Sequence, residues 1–131
     1  MDYKFIGIIN ALLLVILLMP FLLNALNRKW FKTKNETYRK VLKGLRTIHK
    51  PTGIALALFG VIHGWMALGG LRLHTGTLLY AAILVQAALG GAFYKTKRKN
   101  LFKAHRLMAL AVVLLFLLHR LAPSALYGLL N

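Results

Sequence analysis

This 131-residue chain contains no cysteine, which excludes disulfides, thiolate metal sites, iron–sulfur ligation and covalent c-type haem attachment. Acid is almost as scarce: Asp2 and Glu36 stand against 18 Lys and Arg, for a net charge of +16. Neither carboxylate falls within an apolar run, so the chain lacks the intramembrane acids that a di-iron site, a proton relay or a cation transporter would use. Proline is limited to Pro20, Pro51 and Pro123. What fills the chain instead is hydrocarbon: 59% of residues are hydrophobic and the mean hydropathy is +0.64, more apolar than soluble domains usually are. On a soluble protein such a positive charge would point to nucleic acid. Here the basic residues lie between apolar runs, so anionic lipid is the expected counter-charge and nucleic acid is not a partner.

Four runs are long enough to cross a bilayer, which takes about 20 residues of helix. The first spans 5–26, interrupted by Asn10, Pro20 and Asn24. A signal peptide would be shorter, would carry its basic residues in front and would end in a small-residue cleavage site, so a retained helix kinked near Pro20 is expected. Nine basic residues follow between 27 and 50. Within that stretch Asn35 reads as an N-cap, and Tyr38, Val41, Leu42, Leu45, Ile48 and His49 recur at helical spacing, which predicts an amphipathic interfacial helix over 36–50. Pro51 marks its junction with the second span, 52–71. The short connection Gly69-Gly70-Leu71-Arg72 makes the third span, 75–94, its antiparallel neighbour. A basic loop at 95–99 leads to the fourth span, 101–121, which Pro123 ends; Ala125 to Leu130 forms a short interfacial tail.

The expected fold is therefore all-α, a single-domain membrane-spanning four-helix bundle covering 1–131. Fifteen of the 18 basic residues fall in 27–50 and 95–106, and Lys4, Arg72 and Arg120 are the remainder. Positive-inside bias places those two stretches in the cytoplasm and both termini outside, in a bacterial or archaeal cytoplasmic membrane. The second and fourth spans then run in the same direction.

Those two spans carry the chemistry. His49 and His63 are fourteen residues apart, and so are His105 and His119. Fourteen residues advance a helix by about 21 Å and turn it just short of four turns, so each pair shares a face. Steps of four and three connect His49 to His63 through Gly53, Leu56 and Gly60, and His105 to His119 through Ala109, Val112 and Phe116. One histidine near a helix end is most often a polar group facing water. Two pairs with one repeat, on parallel helices, instead predict His49 facing His105 on the cytoplasmic side and His63 facing His119 on the outer side. Each level offers two imidazoles and no acid, too few for zinc but the complement of a haem iron, with Gly53 and Gly60 giving room to a flat macrocycle. The metal ligands would be His49, His63, His105 and His119. Arg106 and Arg120, each beside a ligand, are the expected partners of haem propionates. His74 has no counterpart and reads as solvated, near the outer haem edge.

The arrangement resembles the N-terminal haem-binding bundle of the cytochrome b of quinol-oxidising bc and bf complexes. Ile48-His49-Lys50-Pro51-Thr52-Gly53 and Lys103-Ala104-His105-Arg106 also resemble small cytochrome b561-like membrane proteins. The resemblance implies two non-covalent b haems stacked across the membrane and electron transfer between its faces. It differs from the larger cytochrome b in ending after the fourth span and in lacking the Pro-Glu-Trp-Tyr segment of the quinol-oxidation site. The expected activity is thus that of an electron-transfer protein, or of a membrane subunit of an oxidoreductase such as a quinol or metal reductase, working within a membrane complex or as a homodimer. Its donor, a quinol or a cytoplasmic reductase, and its acceptor are not identified by the residues. Trp65, Tyr80, Gln86 and Tyr94 are the residues available to a quinone, although aromatics are common at membrane interfaces in any case. The alternative reading is a membrane protein that handles haem or metal, its histidines binding transiently.

Overall fold

The computed structural model describes residues 2–70 and 72–125. Within them the chain is all-α, with four helices long and apolar enough to cross a membrane and no strand. It is an integral, multi-pass membrane protein. Large apolar side chains face outward along every helix, among them Leu12, Leu58, Val85 and Leu110. In water such a surface would drive association, whereas in lipid it is the ordinary exterior. The tail residues 126–130 assigned to the interface, and Leu71 at the end of the second predicted span, lie outside the described residues.

The chain divides into two compact units, residues 1–60 and 61–131. In the first unit, α1 (Tyr3–Leu26) is capped by the Asp2 side chain, which accepts from the Lys4 N–H, and contains Pro20. It runs on through a π turn, Asn27–Phe31, and stops where Lys32 adopts the left-handed region at φ 45°. Asn27 closes this turn with both ends of its amide, accepting from the Thr33 N–H at 2.9 Å and donating to the Thr33 carbonyl at 3.3 Å. The next helix starts as expected: the Asn35 side chain accepts from the Thr37 N–H at 2.9 Å, satisfying one of the donors a helix start leaves open. The Tyr38 hydroxyl donates to the Leu23 carbonyl of α1. Asn10 of α1 donates its amide to the Phe59 carbonyl.

That next helix, α2, is continuous from Glu36 to Leu68. The interfacial helix over 36–50 and the span beginning at 52 are therefore one element, and Pro51 sits inside it. A proline there removes the bond to the carbonyl four residues earlier, that of Thr47. Thr47 itself is exposed, and its hydroxyl donates to the Lys43 carbonyl at 2.9 Å. At about 1.5 Å per residue, the 33 residues of α2 exceed a hydrocarbon core of about 30 Å by roughly 20 Å, and the polar surplus is the basic first half.

In the second unit α2 ends at Gly69, which takes φ 69° and whose N–H closes on the Trp65 carbonyl, a left-handed end that glycine adopts without steric cost. Helix α3 (Thr75–Thr96) and α4 (Lys99–Leu121) follow, joined by Lys97 and Arg98 alone. Lys97 stops α3 in the left-handed region at φ 55°, its N–H bonded to the Phe93 carbonyl, and Arg98 is the extended N-cap of α4. So short a connection makes α3 and α4 an antiparallel hairpin packed along its length.

Candidate functional site

The stripes predicted to carry the histidines are shielded ones. On α2 His49, Gly53, Gly60 and His63 are all half-buried and Leu56 is 4% exposed, while their neighbours Lys50, Ile54 and Val61 are exposed. On α4 His105, Ala109, Phe116 and His119 are half-buried around Val112, which is 3% exposed.

Both α4 imidazoles are seated on glycines of α3. A Cβ at Gly90 would stand 2.9 Å from Cε1 of His105, and a Cβ at Gly76 would stand 2.9 Å from Cε1 of His119. Gly76 and Gly90 are themselves fourteen residues apart. Because the hairpin is antiparallel, fourteen steps up α3 match fourteen steps down α4, and each ring meets its own gap. This repeat on the third span was legible in the sequence, but with no carboxylate or imidazole attached to it nothing marked it as functional.

Each ring is also held by a hydrogen bond that decides which nitrogen carries the proton. Nδ1 of His105 lies 3.1 Å from the backbone carbonyl of Gln86. A carbonyl only accepts, so Nδ1–H is the donor and Nε2 keeps its lone pair. The helical ladder uses the other lone pair of that carbonyl, and the bare Gly90 four residues on leaves it open to the ring. The Gln86 amide nitrogen stands 3.5 Å from Nε2 of the same ring. At the other end of the hairpin, Nδ1 of His119 lies 3.0 Å from the Thr75 hydroxyl, which donates to the Pro123 carbonyl at 2.8 Å. With its single proton committed to that carbonyl, the hydroxyl accepts from His119, which is again protonated on Nδ1 with Nε2 left as the basic atom. An anchored Nδ1–H is what orients a histidine ligand, and in His105 the opposite nitrogen faces the Gln86 amide.

His74 is not simply solvated. It caps α3, its Nδ1 accepting from the Gly76 N–H at 3.1 Å, and its ring meets that of His119 with centroids 5.8 Å apart. A neutral His74 capping in this way carries its proton on Nε2, the opposite tautomer from His119. His63 approaches His119 from α2, with ring centroids 6.3 Å apart and planes at 84°. Two metal–nitrogen bonds of about 2 Å plus the half-widths of two rings put coordinated imidazole centroids roughly 6 Å apart, a spacing that both His63 and His74 meet against His119. Among the described residues no group of three or more His, Cys, Asp or Glu is arranged to hold a metal ion. The donor chemistry at the His63–His119 pair is thus two imidazoles, the number a haem iron takes from its protein.

Other predicted residues are placed as follows. His49 belongs to the first unit and His105 to the second. A Cβ at Gly53 would lie 3.9 Å from Leu17 of α1, an ordinary contact, so packing there does not demand glycine. Arg106 and Arg120 are exposed, and the Arg106 guanidinium lies 5.7 Å from the Phe102 ring centroid. The four residues available to a quinone do not form one group: Tyr80 and Tyr94 are separated by about 21 Å of α3, and Lys97 covers the Tyr94 ring at 4.6 Å. Gln86 meets His105, through both its side-chain amide and its backbone carbonyl.

Comparison with protein-family models, with curated proteins and with solved structures finds no match to this chain. The functional reading rests on the geometry alone.

Proposed function

We propose that the chain carries electrons across the membrane through two b-type haems, one held by His63 and His119 and the other by His49 and His105. The observation that carries this reading is the His63–His119 ring spacing of 6.3 Å, together with the anchoring of both α4 imidazoles through Nδ1. When bound, haem supplies a one-electron iron couple, and two imidazoles per iron leave no position for oxygen. The protein's part is to hold four ring nitrogens in place and to exclude water around them with the buried Leu56 and Val112. Arg106 and Arg120 pair with propionates. The basic stretches 27–50 and 95–106 face the cytoplasm and bind anionic headgroups, which places His49 and His105 inside and His63 and His119 outside. Electrons enter from a quinol or a cytoplasmic reductase and leave at the opposite face, or the reverse.

A reduced-minus-oxidised spectrum of the detergent-purified protein tests this directly. The expected result is a b-type α-band from two haems per chain, with His63→Ala and His119→Ala each removing one and sparing the other. A colourless protein that takes up no added haemin would overturn the proposal. Carbon monoxide binding to the reduced protein would overturn it in favour of haem handling, because it requires an open iron position.

A further inference from the structure

The two α4 histidines find their Nδ1 acceptors in different ways, and the difference singles out one residue. At Gly90 the acceptor is the carbonyl four residues earlier, Gln86. The equivalent carbonyl for Gly76 is that of Arg72, which precedes α3 and already accepts from the Thr77 hydroxyl at 2.6 Å. No helical carbonyl exists there for His119 to use. Thr75 stands in its place. At 1% exposure it is the most buried side chain among the described residues, and its hydroxyl lies 3.0 Å from Nδ1 of His119, 3.5 Å from Nδ1 of His74 and 2.8 Å from the Pro123 carbonyl just beyond α4, the one partner of the three that can only accept.

We infer that Thr75 is a positioning residue for His119, holding the imidazole as the Nδ1–H tautomer so that Nε2 is the nitrogen offered to a ligand. The neighbouring geometry shows why such a device is needed. His74 lies against the same ring and is held in the opposite tautomer by the Gly76 N–H, so two adjacent histidines of one cluster are sorted into a cap and a ligand. The ring edge of His119 that faces α3, Cε1 and Nδ1, is the edge in contact with Gly76, with Nδ1 beside the Thr75 hydroxyl. A methyl group in place of that hydroxyl would strand the buried N–H and favour the other tautomer.

The inference depends on the haem reading for its redox consequence, though not for the tautomer. The test is the imidazole nitrogen-15 NMR spectrum of the full chain prepared without haem in detergent, where Nε2 of His119 is free to take a proton, for Thr75→Val, Thr75→Ala and Thr75→Ser. Valine and alanine are expected to move His119 to a mixed or Nε2–H population, and serine, which keeps the hydroxyl, to preserve the wild-type signal. In a haem-loaded protein the same valine change weakens electron donation by His119. It should shift the ferric–ferrous equilibrium of the outer haem about tenfold towards ferrous, about 59 mV for one electron, and leave the inner haem unmoved. An unchanged His119 tautomer in a folded, haem-free Val or Ala variant overturns the inference even if the wild-type chain takes up two haems. A wild-type chain that takes up no added haemin, with the expected tautomer response in the variants, overturns the electron-transfer reading and leaves the role of Thr75 standing.

Discussion

Gly90→Ala is the substitution whose outcome the structure specifies most closely. Its new methyl carbon would lie 2.9 Å from Cε1 and 3.2 Å from Nδ1 of His105, where carbon atoms in good contact sit about 3.5–4.0 Å apart. The ring must therefore retreat by roughly 0.6–1 Å. It is not a flexible tip that can swing aside, because Nδ1 is bonded to Gln86 at 3.1 Å. A retreat of that size takes the bond beyond hydrogen-bonding range, with a net loss of about 1 kcal/mol, and overpacking adds about 1–3 kcal/mol. Alanine returns about 1 kcal/mol as the better helix former. The variant should thus be destabilised by about 1–3 kcal/mol, with the damage localised at His105. Gly91→Ala is the internal control. Nothing lies within 4 Å of its Cβ position, so it should gain helix propensity and leave His105 untouched. Thermal unfolding in detergent reads the stability difference, and the His105 imidazole signals or the inner-haem absorbance read the site. If the two alanine variants unfold alike and His105 is unmoved in both, the seating of His105 on α3 is wrong.

Gly76→Ala should act in the same way on His119, with 2.9 Å to Cε1, and should disturb the outer-haem absorbance while sparing the inner. Its unfolding curve should fall below that of Gly70→Ala, where nothing lies within 4 Å. Asn35→Ala removes the side chain that caps α2 at 2.9 Å and should cost about 1 kcal/mol, checked by unfolding in detergent; Asn35→Asp should restore it.

Much of the architecture could be read from the chain because each feature is local. A bilayer asks for a certain length of hydrocarbon, and four runs have that length. Asn35, Gly69 and the 95–99 loop lie where the helices begin, end and reverse, since caps and left-handed ends depend on a few adjacent residues. The fourteen-residue repeat of histidines is a property of helical pitch and needs no partner to be seen. Pro51, expected to kink the junction of the interfacial helix with the second span or to mark that span's first turn, lies inside one continuous helix, and the amphipathic and apolar halves follow each other without a loop.

What surrounds the histidines could not be obtained in that way. Periodicity states that His105 and His119 share a face, but not that this face is the one pressed against Gly76 and Gly90. It is equally silent on which acceptors lie there. The Gln86 carbonyl is a backbone atom without residue identity, and it is open to a ring only because the residue four positions on has no side chain. His74 looked like a loop residue and became a helix cap touching His119, and Thr75 looked like the first residue of a span and became the buried partner of a ring 44 positions away. Composition and pitch determined that this is a basic membrane protein with imidazoles in register. The tertiary fold alone decided which nitrogen of each α4 imidazole keeps the proton, because that depends on atoms brought together by antiparallel packing rather than by adjacency along the chain.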